Sequence, residues 1–485
     1  MRPTEKNAVS TRRSGIPEGL LTGSPPRAYL YYLAVIVELG ASAVSGVGFV
    51  LEQNYYFLGG TVLWVLWFVV MFLVTRSSSD HWLRPHEKPL HRSAAAIFIF
   101  LFLVGVAEFV GMAELYPQFI RHQRTGGDLV EALDGLNTVF EYNDSTILVQ
   151  QATENLLNGE NPYLHANIIE GLLAFNGAPD RVTPLREGRF KDIFPYPALH
   201  ELELLYQDSI RDPSDPPEEL ESRFCYPAGA FLLPAPFIAL GIDDLRWVLG
   251  GFALAGLAFA VWRIPRAGSK LVFLGGAVIS LEFWNSIGAG ETSMLIFPLL
   301  MVAWLSLSHN RWLSLVFMGL AVATKQTAWF ILPFYLVLFL KTYGWRRVPA
   351  AAGLIVGVFL AVNLPFAVTD FKLWLDSVLS PMLDPMFPLG VGIVTLVTSG
   401  LIDVHSSLPF TIMEVAAGIL ALVWYYRHCR EYPHVGLVLA VLPIFFAWRS
   451  LWTYFYYVGI IALAGVLNGA ANGDANIRPA PRETD

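Results

Sequence analysis

The chain has 485 residues, of which 54% are hydrophobic and only 15% charged, with a formal net charge of −8 and a mean hydropathy of +0.49. Soluble domains carry roughly 25% charged residues, so this composition excludes a water-soluble globular protein. Its apolar runs are continuous and reach the span length of about 18 residues. That excludes the short alternating strands of a β-barrel and predicts an all-α polytopic membrane protein.

Residues 1–27 are polar and basic and have no apolar core, so they read as a disordered cytoplasmic tail rather than a signal peptide. Spans are predicted at 28–50 and 55–75, joined by a short turn near Glu52–Asn54, and at 93–113. The connection between the second and third holds Arg76, Arg84, Lys88 and Arg92 and should stay inside by the positive-inside bias.

One long hydrophilic insertion follows, at 114–224. It holds 20 acidic and eight basic residues, while the rest of the chain is net positive, so it is expected outside. Within it runs YNDSTILVQQATENLLNGENPY, from Tyr142 to Tyr163. Asp144 or Ser145 is suited to cap a helix there. Leu148, Ala152 and Leu156 recur every four residues, and Gly159 and Pro162 end the helix. Such a helix would lie along a membrane surface, with Gln150 and Gln151 facing away from its apolar side.

From Tyr226 the spans come in quick succession: 226–241, 245–262, 271–288, 291–308, 312–325, 327–341, 349–368, 389–402, 408–426, 435–448 and 451–468. The segments 226–241, with three prolines, and 389–402, which is short, spoil the parity and are candidates for re-entrant segments. About 12 spans remain, followed by a polar cytoplasmic tail at 469–485. Basic clusters at Arg263–Lys270, Arg311, Lys341–Arg347 and Arg427–Arg430 serve as inside anchors. With those anchors, Glu291, Lys325, Gln326 and Arg449 fall on the same face as Asp144. Charges at such depth are usually functional or paired, so an external, membrane-embedded cleft is expected.

A carboxylate beside cations suits transfer from a lipid phosphate. Lys325 and Arg449 would hold the phosphate, and the carboxylate would take a proton from an attacking hydroxyl. Further cleft candidates are Glu291, Asp192, His200, Tyr163, Tyr196, Tyr226, Gln326 and Tyr454, the tyrosines offering flat faces to a sugar. Asn143-Asp144-Ser145 is also a glycosylation sequon, but modification there would block a base, so it reads as a chance match. Cys225 and Cys429 make no metal or redox pattern.

Several landmarks occur in a familiar order. They are Asn143-Asp144 with Gln151-Ala152 and the Leu157–Tyr163 close, Tyr226-Pro227, Gly290-Glu291-Thr292, Gly319 to Lys325, and the run Trp448-Arg449-Ser450-Leu451-Trp452-Thr453-Tyr454-Phe455. Over residues 93–468 the chain resembles the GT-C superfamily of multi-spanning glycosyltransferases, in particular the polyprenyl-phosphate-mannose-dependent family 87. Residues 28–92 would then be two extra N-terminal helices with a basic loop. Glu291 stands where an amide is expected, and Ala228 where a second proline is common.

The resemblance implies inverting transfer with Asp144 as base. The donor would be a polyprenyl-phosphate sugar rather than a nucleotide sugar, with mannose as the sugar and a glycolipid, polysaccharide or glycoprotein as acceptor. No cofactor, metal or nucleic acid is implied. No glycine-rich phosphate loop or DxD motif occurs, and the site would face outward from a plasma membrane. The rival readings are a transporter or lipid flippase, and a non-catalytic assembly protein of an envelope pathway. No internal repeat of the transporter kind is visible.

Overall fold

The computed structural model describes residues 24–50, 55–111, 142–175, 177 and 181–469. The Glu52–Asn54 turn, nearly all of both expected tails and the loop's first part lie outside the described residues. Ser24–Arg27, assigned above to the tail, are packed: Arg27 is 2% exposed and pairs with Asp80. A charge this buried requires such a partner.

The fold is helical. Helices α1 (Leu30–Val50) and α2 (Tyr55–Thr75) pack side by side, followed by α3 (Ser79–Leu83) and α4 (Glu87–Val110). The loop contributes α5 (Asp144–Leu157), α6 (Ile168–Phe175) and α7 (Leu199–Ser209). Next come α8 (Leu245–Arg263), α9 (Ala267–Ile279), α10 (Leu281–Gly288), α11 (Ser293–Ser306), α12 (Arg311–Val322) and α13 (Thr327–Tyr343). The chain continues through α14 (Val348–Ala367), α15 (Phe371–Leu383), β1 (Leu389–Gly390), α16 (Leu408–His428) and α17 (Val435–Val441). It closes with β2 (Arg449–Ser450) and α18 (Tyr456–Gly469).

Among the described residues, six helices are long and apolar enough to cross a membrane, or seven if α9 and α10, bent by 55° at Ser280, form one span. The helices α11, α12 and α13 are apolar but shorter. Neither suspected re-entrant segment is one straight helix. Residues 226–241 form two short helices broken at Pro234, and 389–402 form β1 and the single turn Thr395–Thr398.

The first two helices are built into the bundle. Lipid is as apolar as a leucine side chain, so packing and hydrogen bonds must hold membrane helices together. Trp64 and Phe68 of α2 lie 5.4 and 5.5 Å from Phe455, and Phe68 lies 5.5 Å from Phe445. Higher on the same helix, the Thr61 hydroxyl donates to the Val391 carbonyl at 3.0 Å and lies 2.7 Å from Thr395 Oγ1. Val391 N in turn donates to the Ser450 carbonyl at 2.8 Å, beside the parallel pairing of β1 with β2. Helix α2 thus braces the strand that carries Arg449. Thr61→Val keeps the shape and removes the hydroxyl. It is expected to cost about 1 kcal/mol, read as a lower unfolding temperature in detergent.

Candidate active site

The sequence places an oxygen acceptor at the head of α5, and the structure assigns that role to Asn143 rather than to Asp144 or Ser145. Asn143 Oδ1 accepts from Thr146 N at 2.9 Å and from the Ser145 hydroxyl at 2.7 Å. Asp144 is the first helical residue, where the helix dipole favours a carboxylate. Gly159 ends the helix region with φ +82°. The helix does not lie on a surface with a wet polar face. Thr146 through Thr153 are all buried; Gln150 donates to the Asp243 carbonyl at 2.5 Å and Gln151 accepts from Asn167 N at 2.8 Å. A buried amide needs such partners, and they lie 93 and 16 residues away, beyond the reach of a periodicity argument.

The α5 head docks on the bundle through Asn143 Nδ2, which donates to Glu291 Oε1 at 2.7 Å. Glu291 sits in the turn between α10 and α11. Gly290 before it has φ +77°, and a Cβ there would come within 2.7 Å of Thr146 Oγ1. Positive φ and close approach together require glycine.

Lys325 sits at the break between α12 and α13 and is 5% exposed. Its Nζ donates to Thr292 Oγ1 at 2.7 Å and Ser293 Oγ at 3.1 Å, and stands 5.2 Å from the Tyr226 ring centre. Gln326 uses its amide nitrogen on the carbonyls of Cys225 and Val378.

Arg449 arrives from β2. Its Nη2 lies 3.5 Å from the Thr183 hydroxyl oxygen, and its Nη1 is buried without a hydrogen-bond partner among the described residues. Thr183 donates both its N–H, at 2.9 Å, and its hydroxyl, at 2.5 Å, to Asp144 Oδ2. Asp144 Oδ1 accepts from Ser145 N at 2.6 Å. Thr183 is held by an extended edge: its carbonyl accepts from Glu221 N at 2.9 Å, and Leu185 N donates to Glu219 at 2.8 Å.

These residues line one cleft of about 1620 Å³. Asp144, Glu291, Lys325, Gln326, Arg449, Tyr226, Tyr454, Tyr196 and Asp192 all reach it. Its walls continue as an apolar groove formed by Trp329, Phe330 and Phe334 of α13, Ile419 and Leu422 of α16, and Ile444. Two sequence candidates are not brought to this cleft. His200 lines a separate depression with Glu203 and Tyr206. Tyr163 is buried under the cleft, donating its hydroxyl to the Tyr226 carbonyl at 3.0 Å. Sequence reasoning missed Thr183, Arg181 and the pair Glu221–Asp384, which also line the cleft; no motif marks them.

Residues 224–451 match the family model of glycosyltransferase family 87. Over this region the chain is similar to glycosyltransferase family 87. The family implies a membrane glycosyltransferase, with a sugar donor and an acceptor. No curated protein and no solved structure matches the chain. The family 87 region carries Tyr226, Glu291, Lys325, Gln326 and Arg449; Asp144 and Thr183 reach the same cleft from the preceding loop.

At the cleft wall Glu221, 4% exposed, is pushed up to about 8, by burial first and then by the neighbouring Asp384 carboxylate. Arg223, which donates to Asp384 at 2.5 Å, opposes the shift. Folded Glu221 therefore keeps its proton where an unfolded glutamate, near pH 4.3, has lost it. Its contribution to stability is full below that value and falls as pH rises to about 8. Glu221→Gln should flatten this fall, so thermal unfolding between pH 5 and 9 should show a smaller slope in the variant than in the wild type.

Proposed function

We propose that the protein transfers a sugar, mannose in our reading, from a polyprenyl-phosphate donor to an acceptor hydroxyl, inverting the anomeric carbon. The observation that carries this reading is a single cleft joining a carboxylate and two cations to an apolar groove. The groove between α13 and α16 suits a prenyl chain. A buried Arg449 nitrogen without a partner among the described residues suits an anionic ligand, because native proteins seldom leave a buried donor unmet.

In the transfer, the acceptor oxygen bonds to the anomeric carbon while that carbon's bond to the phosphate oxygen breaks. The phosphate leaves with the electron pair, and the acceptor proton passes to Asp144. Lys325 and Arg449 stabilise the phosphate charge as it develops. Glu291, tied to the α5 head through Asn143, holds the base against the bundle, and Tyr226, Tyr196 and Tyr454 are available to a sugar face. The reading has the cleft on the outer side of a plasma membrane, both termini in the cytoplasm, and about 12 spans once the short buried helices are included. The acceptor is a glycolipid, polysaccharide or glycoprotein.

Membranes supplied with labelled polyprenyl-phosphate-mannose test the reaction. Wild type should transfer label, and Asp144→Asn should lose about a hundredfold or more, the scale of a general base. Transfer retained by Asp144→Asn would move the base elsewhere, and no transfer by wild type would reject this donor. Arg449→Gln removes charge-assisted bonds of roughly 1.5–3 kcal/mol, so the donor KM should rise about tenfold or more.

A further inference from the structure

The Asp144 oxygen that the proposed base would use is already occupied. Thr183 gives both its N–H and its hydroxyl to Oδ2, the hydroxyl at 2.5 Å, while Oδ1 holds Ser145 N. The same hydroxyl oxygen lies 3.5 Å from Arg449 Nη2. A phosphate oxygen held by Arg449 would therefore come within reach of the Thr183 hydroxyl. A threonine hydroxyl has one proton and rotates freely about its bond to carbon, so it serves one acceptor at a time.

The geometry points to Thr183 as a donor-sensing positioning residue, whose hydroxyl guards Asp144 in the empty cleft and turns to the donor phosphate when Arg449 binds it. The turn frees one lone pair of Oδ2 for the acceptor hydroxyl, while the Thr183 N–H stays and keeps the carboxylate oriented. Oδ2 of the base is thereby uncovered only when a donor is present. Nothing covalent changes in this step: one O–H hydrogen bond is exchanged for another. The inference rests on Asp144 as base and Arg449 as phosphate holder, as proposed above.

The Thr183 hydroxyl makes a charge-assisted hydrogen bond to Asp144 Oδ2, a kind roughly twice as strong as one between neutral groups. The other groups acting on Asp144 are fixed by their own elements. They are Glu291 in the α10–α11 turn, Lys325 between α12 and α13, Cys225 and Tyr226 before the first short helix of the 226–241 segment, and Tyr454 after β2. Arg449 approaches from β2 itself, Arg181 acts on Glu291, and Glu221 bonds the Thr183 carbonyl from the loop edge.

The test is the pH dependence of transfer from labelled polyprenyl-phosphate-mannose by wild type, Thr183→Val and Thr183→Ser. The profile of kcat/KM reports groups in the free enzyme, and that of kcat reports groups in the bound complex. In Thr183→Val the acidic limb of kcat/KM should move to higher pH while the acidic limb of kcat stays in place, and the donor KM should rise severalfold. Thr183→Ser, which restores the hydroxyl, should return the kcat/KM limb toward its wild-type position. If both limbs move together, the hydroxyl stays on Asp144 during the reaction and the exchange does not occur. If neither moves, Thr183 does not act on the base. Thr183→Ala replaces the valine variant should that chain fail to accumulate in the membrane. Asp144→Asn in the same assay keeps the two readings apart: an unchanged rate there overturns Asp144 as base, whatever Thr183 does.

Discussion

A charge held out of water must find polar partners, and Lys325 is where this constraint is sharpest. At 5% exposure it is held by two adjacent hydroxyls from one turn of the chain's path and a tyrosine ring from another. Thr292 and Ser293 open α11, Tyr226 precedes the short helix at Gly229, and Lys325 itself interrupts α12 and α13. Satisfying one ammonium group therefore brings three breaks in the helical bundle to one point. Those breaks make the floor of the cleft.

The loop is fastened to this floor by a second set of polar bonds. Asn143 caps α5 with one side-chain atom and reaches Glu291 with another, so the same residue starts the helix and docks it. Thr183 then ties Asp144 to the wall beside Arg449, and Arg449 rides on a strand braced by α2. Groups from the loop, the helix breaks and the N-terminal pair thus converge by hydrogen bonding rather than by sequence proximity.

This explains which parts were legible from sequence. Helix type and the positions of the six long apolar helices among the described residues follow from apolar runs, as for α2 and α16. The stop at Gly159 and the gathering of Asp144, Glu291, Lys325 and Arg449 could be read from turn chemistry and charge placement. The capping residue was off by one because Asn143 and Asp144 are both good caps, and only the long-range bond to Glu291 separates them. Helix α5 was misread as a surface helix because the partners of Gln150 and Gln151 are distant in the chain. Thr183 left no signal at all: a threonine in an irregular loop gains meaning only from what packs beside it. His200 was drawn in by residue type, and its helix faces elsewhere.

The central claim is that the polar cleft and the apolar groove form one site for a lipid-linked phosphate. A photoactivatable polyprenyl-phosphate, its reactive group on the prenyl chain, tests it directly in membranes holding the full chain. The account predicts labelling within Thr327–Tyr343 and Leu408–His428, suppressed by excess unlabelled polyprenyl-phosphate-mannose and weakened by Arg449→Gln. Labelling that spreads over outward-facing helices such as Glu87–Val110 and resists competition would contradict it.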